Sequence, residues 1–154
     1  MRMPGLDQFP DRSDFRIRKP VFRLDKVIPS DPTLLDGAVE EITAGLRHTA
    51  HWRDAEDIGL VIGEALANAI IHGNSCDPKK TVHVVVVVNE HGDLRVSVQD
   101  TGSGFDPSRL PDPTAPENLL TPHGRGIFLI RQLMDEVDFK FDHGTELRMR
   151  RRKK

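Results

Sequence analysis

Apolar positions along this 154-residue chain change period several times, and each change marks an element. Val21 to Ile28 (VFRLDKVI) alternates and is β-branched enough to predict a first strand. Leu34, Leu35, Ala38, Val39, Ile42 and Leu46 then follow a helical stripe, with Ser30 or Asp31 as N-cap and Pro32 in the first turn. A second helix is predicted from about Asp54 to His72 on Ile58, Val61, Ile62, Ala65, Leu66, Ala69 and Ile70, with Gly73 and Asn74 ending it. Thr81 to Asn89 (TVHVVVVVN) and Asp93 to Gln99 read as an antiparallel hairpin turning through His91 and Gly92. The run of valines predicts a strand covered on both faces. Beyond the stretch from Asp100 to Pro122, rich in Gly, Pro, Asp, Ser and Thr, a helix from about Gly124 to Asp135 precedes strands near Val137–Phe141 and Thr145–Met149. The hairpins leave too few helical crossovers for a doubly wound fold. The fold class expected is an α+β two-layer sandwich, with a mixed, mostly antiparallel sheet and about three helices on one face.

Composition narrows the picture. The length suits one domain with its own core, and a formal net charge of −2 gives no global field for nucleic acid or an anionic membrane. A single cysteine, Cys76, excludes an internal disulfide framework and reads as an incidental thiol. No leading apolar segment and no run near the ~20 residues of a membrane span is present, so a cytoplasmic location is expected. Residues 1–19 read as a flexible arm, 20–150 as the domain, and 151–154 as a basic, solvated tail. Trp52, on the link between the first two helices, reads as a packing anchor.

Candidate chemistry lies in four places. Glu64, Asn68 and His72 are spaced by four on the second helix, and steps of four drift only about 40° around it, so they share one stripe. An Asn side-chain oxygen is a suitable hard ligand for Mg²⁺, and a neighbouring carboxylate can deprotonate a hydroxyl. Asp100, Gly102 and Gly104 (DTGSG) follow directly on a strand. A carboxylate there accepts from an amino group such as that of adenine, and the glycines allow close backbone approach. His123-Gly124-Arg125-Gly126 stands at a helix start, where backbone N–H groups and the helix dipole favour phosphate. Arg125 adds a charge-assisted donor. The third glycine of a dinucleotide fingerprint is absent, Leu129 occupying its place, and there is no P-loop. Thr145 opens the last strand within reach of a base or an ordered water.

Taken in order, these motifs resemble the GHKL superfamily of gyrase, Hsp90, sensor histidine kinases and MutL. EALANAIIHG at Glu64–Gly73 resembles the N-box, DTGSG at Asp100–Gly104 the first glycine box, GRGIFLI at Gly124–Ile130 the second, and GTEL at Gly144–Leu147 the closing threonine motif. NAIIHG and FLIRQLMDEV are closest in wording to bacterial anti-sigma factor serine/threonine kinases. The resemblance implies the Bergerat ATP-binding fold, with ATP and Mg²⁺ as cofactors. It implies that Asn68 holds Mg²⁺, Asp100 recognises adenine, Gly102 and Gly104 shape the base pocket, and Gly124 to Gly126 cradle phosphates. Thr145 would support the base, and Glu64 would be the general base for a serine hydroxyl. His72 belongs to the same ATP-binding set, as a buttress of the N-box loop. The partners implied are a sigma factor and a STAS-domain anti-anti-sigma factor, around a homodimer, with no direct nucleic acid and no membrane.

One departure stands out. Some members of that group carry an arginine just ahead of the second glycine box, where this chain has Thr121-Pro122-His123; Arg109 and Arg125 are the substitutes at hand. The intervening segment, Phe105 to His123, holds five prolines, which limits how far a lid can close. Two rival readings use the same pocket: a non-catalytic, nucleotide-dependent protein-binding module, and a catalytic fragment of a sensor histidine kinase. The second needs a phospho-acceptor histidine on a dimerising helix, and His48 and His51 lack that context.

Overall fold

The computed structural model of the protein describes residues 20–102, 122–141 and 144–153. Its order is strand β1 (Phe22–Pro29), helix α1 (Leu35–Leu46), helix α2 (Ala55–Ala67), strands β2 (Thr81–Val88) and β3 (Leu94–Gln99), helix α3 (Pro122–Leu133), and strands β4 (Glu136–Phe141) and β5 (Thr145–Arg151). The expected elements are all present, displaced by a few residues at their ends. α1 is entered through a short 3-10 turn at Pro32–Leu34, capped by Asp31, whose carboxylate accepts from the backbone N–H of Thr33 at 2.9 Å.

The five strands form one sheet in the order β1-β2-β3-β5-β4. Every neighbouring pair is antiparallel, so the mixed sheet allowed by the sequence resolves to a wholly antiparallel one. Its cause is connectivity: β2 and β3 form a hairpin, β4 and β5 form another, and the single crossover through α3 places β5 between β3 and β4.

Alternation sets the faces. Ile28, Val82, Val84, Val86, Val88, Leu94, Val96, Val98, Leu147 and Met149 point from the strands into one core with Ile42, Leu46, Ile58, Ile62, Leu66 and Ile130 of the helices. Val85 and Val87 project to the opposite face and are buried as well, at 3% and 0% exposure, as a second small cluster. The valine run is thus buried on both sides, as its composition predicts.

Two sequence expectations need correction. Trp52 is no packing anchor: it is 58% exposed, with the Arg53 guanidinium 4.9 Å from its ring centroid. The basic tail does not begin at residue 151 as a purely solvated end. β5 runs to Arg151, and Arg150 faces Asp93 at 3.5 Å and Glu136 at 3.6 Å, because acidic residues on the flanking strand and turn offer partners. Beyond the strand, the Arg152 backbone N–H donates to Asp135 at 2.7 Å.

The second helix does not stay α-helical. At Asn68 it widens into a π turn over Asn68–Gly73, where the backbone N–H of Asn74 reaches the carbonyl of Ala69 at 2.9 Å. Asn74 then makes the junction on which the site is built. Its side chain is fully buried; Nδ2 donates to Ser30 Oγ at 2.7 Å and to the carbonyl of Thr81 at 2.9 Å. Its Oδ1 accepts from the backbone N–H of Thr101 at 3.0 Å. One amide therefore joins the ends of β1 and the π turn to the start of β2 and the loop after β3. Sequence reasoning saw Asn74 only as a helix terminator. Replacement by Ala orphans three partners, of which Ser30 is fully buried, and Asn74→Ala is expected to cost about 2–3 kcal/mol, measured as a lowered urea midpoint with unchanged slope.

Candidate functional site

The ends of β3 and β5 and the π turn meet at Asp100, which is 1% exposed. Its Oδ1 accepts from the backbone N–H of Gly102 at 3.0 Å and from that of Thr145 at 3.1 Å. The Asp100 backbone N–H in turn donates to the carbonyl of Thr145 at 3.0 Å. Among the described residues both hydrogen bonds to the carboxylate go to Oδ1, so Oδ2 keeps acceptor capacity for a ligand donor. Burial pushes the Asp100 carboxyl above the ordinary aspartate value of 3.8, opposed by these two backbone donors and by the charge of Lys80.

Two glycines make this approach possible. Gly144 has φ +122°, a backbone region that side chains avoid, and a methyl group there would collide with the carbonyl oxygen of Asp100. At Gly73 a methyl group would strike the Asp100 carboxylate itself. Gly102, from the first glycine box, packs equally closely on the carbonyl of Gly73.

Beside Asp100 opens a small pocket. Asp100, Asn68 and Thr145 supply its polar atoms. Ala65 and Ala69 on the helix, with Val98, Leu147 and Phe139 on the sheet, supply apolar walls. The sequence reading missed these wall residues. Their signal was present in the pair of alanines one turn apart on the stripe next to Glu64 and Asn68, where small side chains leave room for a flat ring. A cavity with apolar walls and a few convergent polar groups is the usual form of a small-molecule site.

The helix that carries the second glycine box starts slightly earlier than expected, at Pro122, so Gly124 and Gly126 lie within its first turns. Proline suits that first helical position, where its missing N–H is not needed. Gly126 brings α3 against the N-box face of α2. A methyl group at 126 would stand 2.8 Å from Oε2 of Glu64 and 3.8 Å from Nδ2 of Asn68. Glu64, Asn68 and Gly126 are thus brought together, with Asn68 also lining the pocket that holds Asp100 and Thr145. His72, at the exposed end of the π turn, is not among the residues lining that pocket. Gly104, Arg109 and the segment from residue 103 to residue 121 lie outside the described residues, as does the side chain of Arg125.

Among the described residues no group of three or more His, Cys, Asp or Glu side chains gathers to cage a metal. Asn68 faces both the pocket and the glycine turn of α3, and its side-chain oxygen is of the kind that a hard cation accepts as a ligand. Among the described residues no helix is long and apolar enough to cross a membrane.

Comparison with known proteins agrees with this geometry. A family model described as a histidine kinase-like ATPase domain matches residues 28–151. The chain is 36% identical over 107 residues to an anti-sigma F factor of Geobacillus thermodenitrificans, covering 67% of this chain and 62% of that protein. It is 32% identical over 124 residues to an anti-sigma F factor of Clostridium perfringens, covering 77% of each. It is also 33% identical over 104 residues to the serine-protein kinase RsbW of Bacillus licheniformis, covering 64% of each. The matched stretches therefore span roughly two thirds of these relatives. Among solved structures, the RsbU and RsbW domains of a Mycobacterium tuberculosis protein share the fold, with a TM-score of 0.62 at 21% identity over 88% of this chain and 33% of that one. The histidine kinase domain of a blue-light activated kinase from Erythrobacter litoralis does so with a TM-score of 0.51 at 22% identity, covering 77% of this chain and 61% of that one. With the ordered motifs and the Asp100 pocket, these matches establish that the chain belongs to the histidine kinase-like ATPase domain family, in its anti-sigma factor serine-kinase branch.

Proposed function

We propose that the protein is an ATP- and Mg²⁺-dependent serine/threonine protein kinase that acts as an anti-sigma factor. In this reading it sequesters a sigma factor and is countered by a STAS-domain antagonist, which it phosphorylates. The observation that carries the proposal is the convergence of two half-sites on Asn68: the buried Asp100 pocket on one side, and the Glu64–Gly126 contact on the other. The names of the relatives, anti-sigma F factor and serine-protein kinase, support the partners. Action in the cytoplasm and a homodimeric state belong to the same reading.

Adenine suits the Asp100 pocket. Its exocyclic amine donates to the carboxylate while the ring lies between Ala65 and Ala69 on one side and Leu147 on the other. The phosphates then extend past Asn68 toward the first turn of α3, whose N–H groups and dipole favour anions. The Asn68 amide oxygen would hold a Mg²⁺ ion, which would supply charge neutralisation for the phosphates. Glu64, packed against Gly126 at that end, takes the proton of an incoming serine hydroxyl. The serine oxygen forms its bond to the γ-phosphorus as the bond to the β–γ bridging oxygen breaks, and ADP leaves with that electron pair. The contact between Glu64 and the glycine turn favours a catalytic role over a purely binding one, since a binding module needs no carboxylate at the phosphoryl end.

Three outcomes test this. Asn68→Ala should remove Mg²⁺-dependent binding of ATP in calorimetry, and undiminished affinity would sink the N-box assignment. Glu64→Ala should leave ATP affinity within about threefold and slow transfer to a STAS-domain protein by about a hundredfold or more. Transfer at the wild-type rate would remove Glu64 from the chemistry. The third concerns pH. Ionised Asp100 accepts from the adenine amine more strongly than the neutral acid does, and burial raises its carboxyl. Affinity is therefore present above the raised value and lost as pH falls through it, so the acid limb of ATP binding should lie above the ordinary value of 3.8. Affinity that stays level down to the ordinary carboxylate range would exclude Asp100 as the adenine acceptor.

A further inference from the structure

The helix pair that carries the site is tied together at the end remote from it. α2 begins at Ala55 with Asp54 in the N-cap position, and α3 ends at Leu133. An aspartate at an N-cap ordinarily accepts from backbone N–H groups of the first turn. Asp54 makes no such bond. Its Oδ2 instead accepts from Nε of Arg151 at 2.8 Å, and its Oδ1 faces Nδ1 of His51 at 3.7 Å. The same guanidinium donates through Nη1 to the carbonyl of Leu133, the last residue of α3.

Arg151 therefore links the N-cap residue of one helix to the last carbonyl of the other. Both charges sit where the helix dipoles favour them, the carboxylate at an N-terminus and the guanidinium at a C-terminus. The pair is shielded, with side chains only 14% and 27% exposed. His51 stands behind it, 3% exposed, its Nε2 donating to the carbonyl of Gly92 at 2.6 Å, so the turn between β2 and β3 is bound into the same chain of contacts.

At the opposite end of the pair lies the close packing of Gly126 on Glu64 and Asn68. α2 and α3 thus run antiparallel, with Leu133 near the start of α2 and Gly126 near its end. A helix transmits an axial shift along its length, at about 1.5 Å per residue of register. Whatever holds Leu133 also holds Gly126.

We propose that Arg151 is a positioning residue for the phosphoryl end of the nucleotide site. By tying Asp54 to Leu133 it sets the gap between the glycine turn of α3 and the Glu64–Asn68 pair. The adenine end, built from Asp100 and Thr145, lies at the opposite end of β5 from Arg151 and is fixed by its own backbone amides. The proposal rests on the nucleotide reading above, and it separates two halves of one ligand.

That separation is the test. Arg151→Met keeps an unbranched apolar stem and loses both donors; Asp54→Asn removes the carboxylate. Binding of ATP-Mg²⁺ is measured by calorimetry and binding of adenosine by NMR titration, each on protein shown to be folded. Arg151→Met should weaken ATP-Mg²⁺ about tenfold and leave adenosine within about twofold, since misplacement at one end of a site costs the groups bound there. Arg151→Lys, with one donor group instead of a fork, should fall between wild type and Met. Asp54→Asn should shift ATP-Mg²⁺ in the same direction, and the Asp54→Asn/Arg151→Met pair should be no worse than Arg151→Met alone. If Arg151→Met fails to fold, Asp54→Asn supplies the same comparison. Unchanged ATP-Mg²⁺ affinity in the variants overturns the proposal, as does loss of ATP and adenosine by an equal factor. A wild type that binds no ATP-Mg²⁺ overturns the nucleotide reading and this one with it.

Discussion

The carboxylate of Asp100 accepts from two backbone amides on either side of a strand pair, Gly102 beyond β3 and Thr145 at the head of β5. This is an expensive place for a negative charge, because it is nearly without solvent. It is tolerated because both donors are backbone groups fixed by the sheet, and because glycines at 73 and 144 let the chain close around it. The Asn74 amide locks the same corner from the helix side, through Thr101, Ser30 and Thr81. The pocket follows from this corner. Its walls are largely apolar residues of the helix and sheet, and the π turn that begins at Asn68 contributes Asn68 and Ala69 to its lining.

In the proposed nucleotide site the two ends are held by different parts of the molecule. The end assigned to adenine is held by strand ends and backbone amides, which have little freedom to move. The phosphoryl end is formed where one helix lies on another, and helix pairs shift more readily than hydrogen-bonded strands. A kinase needs that difference: it must retain nucleotide while the reacting end rearranges around substrate and product. The contacts at the remote ends of α2 and α3 fit such a division, since they restrain the helix pair without touching the base.

Much of this was legible in the chain. Alternation in TVHVVVVV and the stripe of Ile58, Val61, Ile62, Ala65 and Leu66 gave strand and helix, because burial of one face imposes those periods. Asp100, Asn68, Glu64 and Thr145 were legible because their motifs come in fixed order at element ends. The roles of Asn74, Asp54 and Arg151 were not. Each looks generic locally, as a helix terminator, an N-cap and a basic tail residue. Their partners lie 27, 97 and 18 residues away, so only the folded chain brings the pairs together. The π turn was equally hidden, since NAIIHG carries an unremarkable helical pattern and the widening reflects what its end must reach.

The valine run of β2 has a further consequence. A strand buried on one face is told its register by alternation, because a slip by one residue turns every side chain to the wrong side. Here Val84 to Val88 present the same side chain to both faces, so a slip within the run is almost invisible to the core. Alignment must come from the ends: Thr81, held by Asn74, and the turn where the Asn89 side chain accepts from the backbone N–H groups of His91 and Asp93. This inner strand behaves as a rod of uniform thread, seated by its two end fittings. Loosening either fitting would allow a full-length, fully apolar and wrongly indexed sheet, a misfold that hydrophobicity itself would not correct.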